Sequence, residues 1–247
     1  MNGKFDHWYN HFESNKGHFD HILFDSSSWI SPKEKSIIGK SIAIFQRGEN
    51  SEGRNLIHAA KEWGDASYLK TIHSFIREEQ NHAKILAVFM KENGIPPNRK
   101  NFSDSVFRKI RSWGTIEHSV YILVTAEMVA AVYYDALRHC TKSETLNDIC
   151  IQILSDEEYH LEFQAYTLSH FYEKRNSFRR AWILFHHWVL TQGAILMVWK
   201  DHRKIFKTAG ISFFQFVKSV NAVRNRTFRK MKNYSNKQAL FLLNPNS

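Results

Sequence analysis

The sequence predicts an all-α chain: a four-helix bundle built from two helical hairpins, followed by additional C-terminal helices. Three observations point there. Only four Pro and ten Gly interrupt 247 residues, so the elements are long. Apolar residues recur at helical spacing, and no strand-like alternation bounded by hairpin turns occurs. Finally, a pattern repeats: a lone Glu in one predicted helix is followed 30 residues later by a Glu-x-x-His in the next, Glu49 to Glu79 and again Glu127 to Glu157. With 43% hydrophobic residues the chain can bury one substantial core.

Residues 1–30 are aromatic and His-rich without a clear period and read as an N-terminal packing arm or short helices. Ser31, Pro32 and Glu34 then mark a helix start, with a Ser cap, Pro at the first helical position and Glu three residues after the cap. This helix is expected over 31–64, with Ile38, Ile42, Phe45, Glu49 and Leu56 along one stripe. Asp65 caps the second helix, which closes at Gly94. A loop over 95–101 and a short helix over 104–113 lead to the third helix, 115–140. That helix is almost wholly apolar over 121–134 except for Glu127. The fourth covers 143–174. The bundle thus occupies 31–174. Residues 175–247 form a basic, aromatic extension packed on the same domain, with helices over 178–207 and 212–232 and a polar tail.

Charge is unevenly divided. The net +10 comes from the last third, where residues 171–247 carry 15 Lys+Arg against 2 Asp+Glu. Two cysteines, Cys140 and Cys150, cannot build a disulfide framework and read as reduced packing residues. The first residues lack the pattern of a signal peptide, so the expected location is cytoplasmic. The apolar run 182–199 is broken by His186, His187, Thr191 and Gln192. It reads as a buried or groove-lining helix ahead of a membrane-surface contact or a span.

The chemistry lies in the faces that should be buried. In the second helix Ile72, Phe75, Ile76, Glu79, His82, Ala83, Leu86 and Met90 share one side, apolar except for Glu79 and His82. The fourth helix repeats this with Ile153, Leu154, Glu157, His160, Leu161 and Leu168. Burying four carboxylates together is prohibitive unless cations compensate them. Two divalent ions would neutralise four Glu, with two neutral His completing the set. The i, i+3 spacing stacks carboxylate and imidazole on one side of each helix. A Glu from each of two helices plus Glu-x-x-His from each of the others is a dimetal carboxylate pattern. Its oxygen-rich donors suit iron or manganese. The candidate ligands are Glu49, Glu79, His82, Glu127, Glu157 and His160, with Glu52 the rival of Glu49 one turn away.

Through Arg47-Gly48-Glu49, the Glu78-Glu79-Gln80-Asn81-His82 run, Ala126-Glu127 and the Asp156-Glu157-Glu158-Tyr159-His160 run, the chain resembles the ferritin-like superfamily of non-haem di-iron carboxylate proteins. That superfamily includes rubrerythrins, soluble acyl-carrier-protein desaturases and aldehyde-deformylating oxygenases. The resemblance covers residues 32–174. It implies two iron ions, with a manganese–iron pair as a variant. Glu79 and Glu157 would bridge or chelate them, His82 and His160 would take one each, and Glu49 and Glu127 would be terminal. By the same resemblance Glu78 and Asp156, each just before a paired Glu, would support His160 and His82 across the site. The chain lacks the Cys-rich module of many rubrerythrins, and its basic extension is foreign to the minimal bundle.

The leading functional expectation is an O₂-dependent oxidoreductase acting on a small apolar organic substrate. Ala126, Ala130 and Ala131 would leave space beside Glu127, and Tyr133, Tyr134, Tyr159 and Tyr166 are candidate hydrogen-bond or radical partners. The alternatives are peroxide reduction or iron oxidation of the rubrerythrin or ferritin kind, and a hydroxylase directed to tRNA or an acidic carrier protein docked on the basic helices. An anionic membrane surface ranks behind these as a partner, and a homodimer is a further alternative.

Overall fold

The computed structural model describes residues 3–50, 53–98 and 115–243. Among these residues the chain is helical: α1 (Asp6–Ser14), a 3₁₀ turn (Ser26–Ser28), α2 (Pro32–Glu49), α3 (Arg54–Trp63), α4 (Ala66–Glu92), α5 (Ile116–Arg138), α6 (Glu144–Tyr172), α7 (Ser177–Thr208) and α8 (Phe213–Leu243). The hairpins α2/α4 and α5/α6 form the bundle, α4 meeting α6 across it. Helix α1 lies on α4. Helix α7 lies on α5 and α2, and α8 on α6 and α5.

Local chemistry explains the starts. The Ser31 hydroxyl accepts from the Glu34 amide while the Glu34 carboxylate accepts from the Ser31 amide, a complete capping box ahead of Pro32. Asp65 caps α4 through the Tyr68 amide at 2.9 Å, and Ser143 caps α6.

Three expectations need correction. The helix expected over 31–64 is two helices, because Gly53 adopts φ +62° and a Cβ there would lie 2.4 Å from the Ile76 side chain. The chain turns at this close approach, and Leu56 begins a different packing surface. The last helix does not stop at 232 but continues to Leu243. Lys230 and Tyr234 both bind Glu162 of α6, at 2.7 and 2.5 Å, and hold the polar sequence in helical form. The run 182–199 is buried along one side only. The stripe through His187, Thr191, Ala194, Ile195, Val198 and His202 faces the bundle, while Trp182, Phe185, Trp188, Val189 and Leu196 face outward. The helix expected over 104–113 lies outside the described residues. Both cysteines are buried and free.

The core is divided in two, and the division places the site. One apolar cluster holds Leu86 and Phe89 of α4, Val129 and Tyr133 of α5, and Ile149 and Ile153 of α6. The other holds Ile72 and Phe75, Val120 and Val124, and Leu161 and Phe163 of the same three helices. Along each helix the polar positions fall at the junction of the two clusters, so the apolar packing seals them from both ends.

Candidate metal centre

At that junction the structure brings all six predicted side chains together. Donor atoms of Glu49, Glu79, His82 and Glu157 lie within 4.8 Å of one another, and so do those of Glu79, Glu127, Glu157 and His160. The two quartets share Glu79 and Glu157 and differ in one His and one further Glu each. This is the arrangement of two adjacent cation sites with two common carboxylates. Glu49 is the last residue of α2, and its Oε1 accepts a 2.7 Å hydrogen bond from the Tyr134 hydroxyl of α5. Its rival Glu52 lies outside the described residues.

His82, His160, Glu49, Glu127 and Glu157 are all buried, and Glu79 is nearly so. His160 Nδ1 faces the carboxylates, 3.0 Å from Glu79 Oε1 and 3.3 Å from Glu127 Oε2. His82 Nδ1 lies 3.6 Å from Glu79 Oε1. Four inward atoms have no hydrogen-bond partner: Glu79 Oε1, His82 Nδ1, Glu127 Oε1 and Glu157 Oε2. Buried polar atoms without partners are strongly disfavoured, and here they converge on common points. The donor set is oxygen-rich with one imidazole per quartet, which fits two hard or borderline divalent ions.

The electrostatics agree. Burial, with Glu79 beside it, pushes the Glu49 carboxyl well above its ordinary range, and burial with Glu127 does the same to Glu157. Without cations the cluster therefore retains protons. His160 is held well above its ordinary value against the effect of burial, by the carboxylates of Glu127, Glu157 and Glu78 that surround it. Cations would replace those protons.

The outer nitrogens are held across the bundle. His82 Nε2 donates to Asp156 Oδ2 at 3.0 Å and His160 Nε2 to Glu78 Oε1 at 2.9 Å, each helix's carboxylate serving the other's histidine. Glu78 and Asp156 are themselves buried. Burial opposes ionisation of Asp156, but hydrogen bonds from His18 and His82 keep its carboxyl well below the usual range. These bonds fix the imidazoles with Nδ1 turned toward the carboxylates at the centre.

Two further residues complete this arrangement and carry no signal along the chain. Asn15 Nδ2 donates both to Glu78 Oε2 and to Asp156 Oδ1, at 2.9 Å each, tying the two carboxylates together. His18 Nδ1 lies 2.8 Å from Asp156 Oδ2. Both come from the aperiodic arm, where no spacing signal exists. Of the four candidate tyrosines only Tyr134 touches the cluster. Tyr133 bonds Ser41, Tyr166 bonds the Lys4 carbonyl, and Tyr159 is exposed and stacks on His11. Gln164, one turn beyond His160, is fully buried with neither amide atom hydrogen-bonded.

Ala131 lines a cavity of about 320 Å³ between α5, α6 and α8, with Leu154, Leu161 and Val223 as walls and Asp135, Glu158 and Arg226 among its polar groups. Ala131 is one turn from Glu127, and Leu154 and Leu161 are one turn either side of Glu157. Ala130 packs into the core instead.

No family model and no curated protein matches the chain. A solved structure of an R2-like ligand-binding oxidase, a mutant with an aerobically reconstituted Mn/Fe cofactor, is similar at TM-score 0.69. The match covers 92% of this chain and 93% of that one at 15% identity. The likeness shows the fold, a ferritin-like helical bundle.

Proposed function

We propose that the chain is a dimetal-carboxylate oxidoreductase that uses O₂ to oxidise an apolar organic substrate. The observation that carries this reading is the pair of buried donor quartets sharing Glu79 and Glu157, with unpartnered atoms aimed at common points. Glu49 and His82 would hold one ion, Glu127 and His160 the other, and Glu79 and Glu157 both. Held there, a pair of iron ions, or manganese with iron, would supply redox chemistry toward O₂. The fold of an oxidase carrying a Mn/Fe cofactor supports the choice of metals.

The protein's own groups do the rest. Asp156 and Glu78 hold the imidazoles so that Nδ1 faces inward. Tyr134 orients Glu49 by donating to Oε1. The two apolar clusters exclude water from the centre, so charge there is screened little. We assign the apolar group to the cavity beside Ala131, whose walls Ala131, Leu154 and Leu161 lie one turn from Glu127 and Glu157. Its size suits a compact group or one segment of a longer one.

The test is O₂ uptake by protein loaded with Fe²⁺, or with Mn²⁺ and Fe²⁺. Uptake that rises with an apolar co-substrate and falls in Ala131→Trp supports the reading. Uptake with Fe²⁺ alone that no organic compound alters supports iron oxidation instead. No uptake at full metal content refutes both.

A further inference from the structure

Helix α7 turns its aromatic residues outward. Phe178, Trp182, Phe185, Val189 and Leu196 follow one another at helical spacing along a single stripe, and each is between 49% and 78% exposed. The stripe runs for about 27 Å, far more than scattered surface apolar residues account for. Lys200, Arg203 and Lys207 continue the same line toward the end of the helix, and all three are exposed. Arg179 flanks its beginning, and Phe214, 82% exposed, stands at the turn into α8.

The buried side of α7 excludes a span. His187 bonds Thr125 of α5 at 2.9 Å and accepts from Arg224 of α8 at 3.2 Å, and His202 bonds Ser41 of α2 at 2.7 Å. These contacts fix the helix along the bundle surface with the apolar stripe outermost, although its length and mean hydropathy would allow a crossing.

We propose that this face docks on an anionic lipid bilayer, with α7 lying in the plane of the interface. An exposed row of Trp, Phe and Leu with basic residues at its margins is the composition of interfacial helices. The charge selects among occupants. Residues 177–208 carry six Lys+Arg against one acid, so a second copy apposed through this face would set like charge against like. A bilayer rich in acidic headgroups meets both the charge and the aromatic stripe. An acidic protein or an RNA would meet the charge while leaving five large apolar side chains in water.

The experiment is co-sedimentation of the full chain with vesicles of phosphatidylcholine alone and of phosphatidylcholine with roughly one-third phosphatidylglycerol. The expected result is binding to the anionic vesicles and little to the neutral ones. Phe178→Ser/Trp182→Ser/Phe185→Ser and, separately, Lys200→Glu/Arg203→Glu/Lys207→Glu should each weaken it roughly 100-fold. All six positions are exposed, so helical circular dichroism should be unchanged in both variants. Three results overturn the proposal. One is no binding to anionic vesicles. Another is full binding by the aromatic variant, which would leave a purely charge-driven face of the kind an RNA uses. The third is a wild-type dimer in sedimentation equilibrium that the aromatic variant dissociates.

Discussion

Replacing Asp156 by Asn changes one atom, and the structure says why that single change matters. The carboxylate of Asp156 is surrounded by four donors. His18 Nδ1 and His82 Nε2 approach Oδ2 at 2.8 and 3.0 Å, while Asn15 Nδ2 and Gln152 Nε2 approach Oδ1 at 2.9 Å each. An amide presents one acceptor and one NH₂. Whichever way it is turned, its NH₂ faces two of these donors. Each buried donor left unpaired costs about 1–3 kcal/mol, so the folded protein should lose roughly 2–6 kcal/mol. For a chain of this size that is a fall in Tm on the order of 10 °C. The centre should respond too, because His82 loses the acceptor that fixes its tautomer, and binding of the ion it holds should weaken about 10–100-fold. The assays are thermal unfolding of the metal-free protein and calorimetric titration with Mn²⁺. Glu158→Gln is the control, since Glu158 is an exposed neighbour. Asp156→Asn with wild-type Tm and wild-type affinity for both ions would refute the reasoning.

Other predictions follow from the same geometry. Glu157→Ala should purify without either metal, because Glu157 belongs to both quartets, whereas Glu127→Ala should keep about one ion per chain; elemental analysis separates the two. Gln164→Leu should raise Tm, since it removes a buried amide that has no partner, and should leave metal content unchanged. The pH dependence of stability should carry a histidine component. Burial holds His202 down at about 4, and burial with Arg224 holds His187 at about 3. The unfolded chain takes up these protons near pH 6.5 and the folded chain does not. Each histidine therefore lowers stability as pH falls from about 6.5 toward 4, by about 2 kcal/mol for His202 at about pH 5. Denaturant unfolding of wild type and His202→Gln should diverge in slope over that window, and parallel curves would contradict it.

The long helices and the paired hairpins were legible because they rest on periodicity. An apolar face interrupted at the same place in successive helices is a local signal, and Glu79, His82, Glu127, Glu157 and His160 announce themselves as carboxylates and imidazoles where Leu or Ile belongs. The break after Glu49 was not legible. It depends on Gly53 meeting Ile76, residues brought together only by the tertiary fold. Asn15 and His18 were invisible for a similar reason: one amide bridging two carboxylates across helices leaves no pattern along the chain. The facing of α7 was not legible, because hydropathy counts apolar residues without saying which side faces in. Its buried stripe contains His187, Thr191 and His202, and its exposed one contains Trp182 and Phe185, the reverse of the usual assignment.

The central claim is that Glu49, Glu79, His82, Glu127, Glu157 and His160 hold two redox-active ions. It is tested most directly by elemental analysis of protein produced without added metal, then reconstituted anaerobically with Fe²⁺ and Mn²⁺ and passed through a desalting column. The prediction is two ions per chain, iron alone or iron with manganese, falling to none in Glu79→Ala/Glu157→Ala. A wild-type protein that retains no metal, or a double variant that retains the full amount, would contradict it.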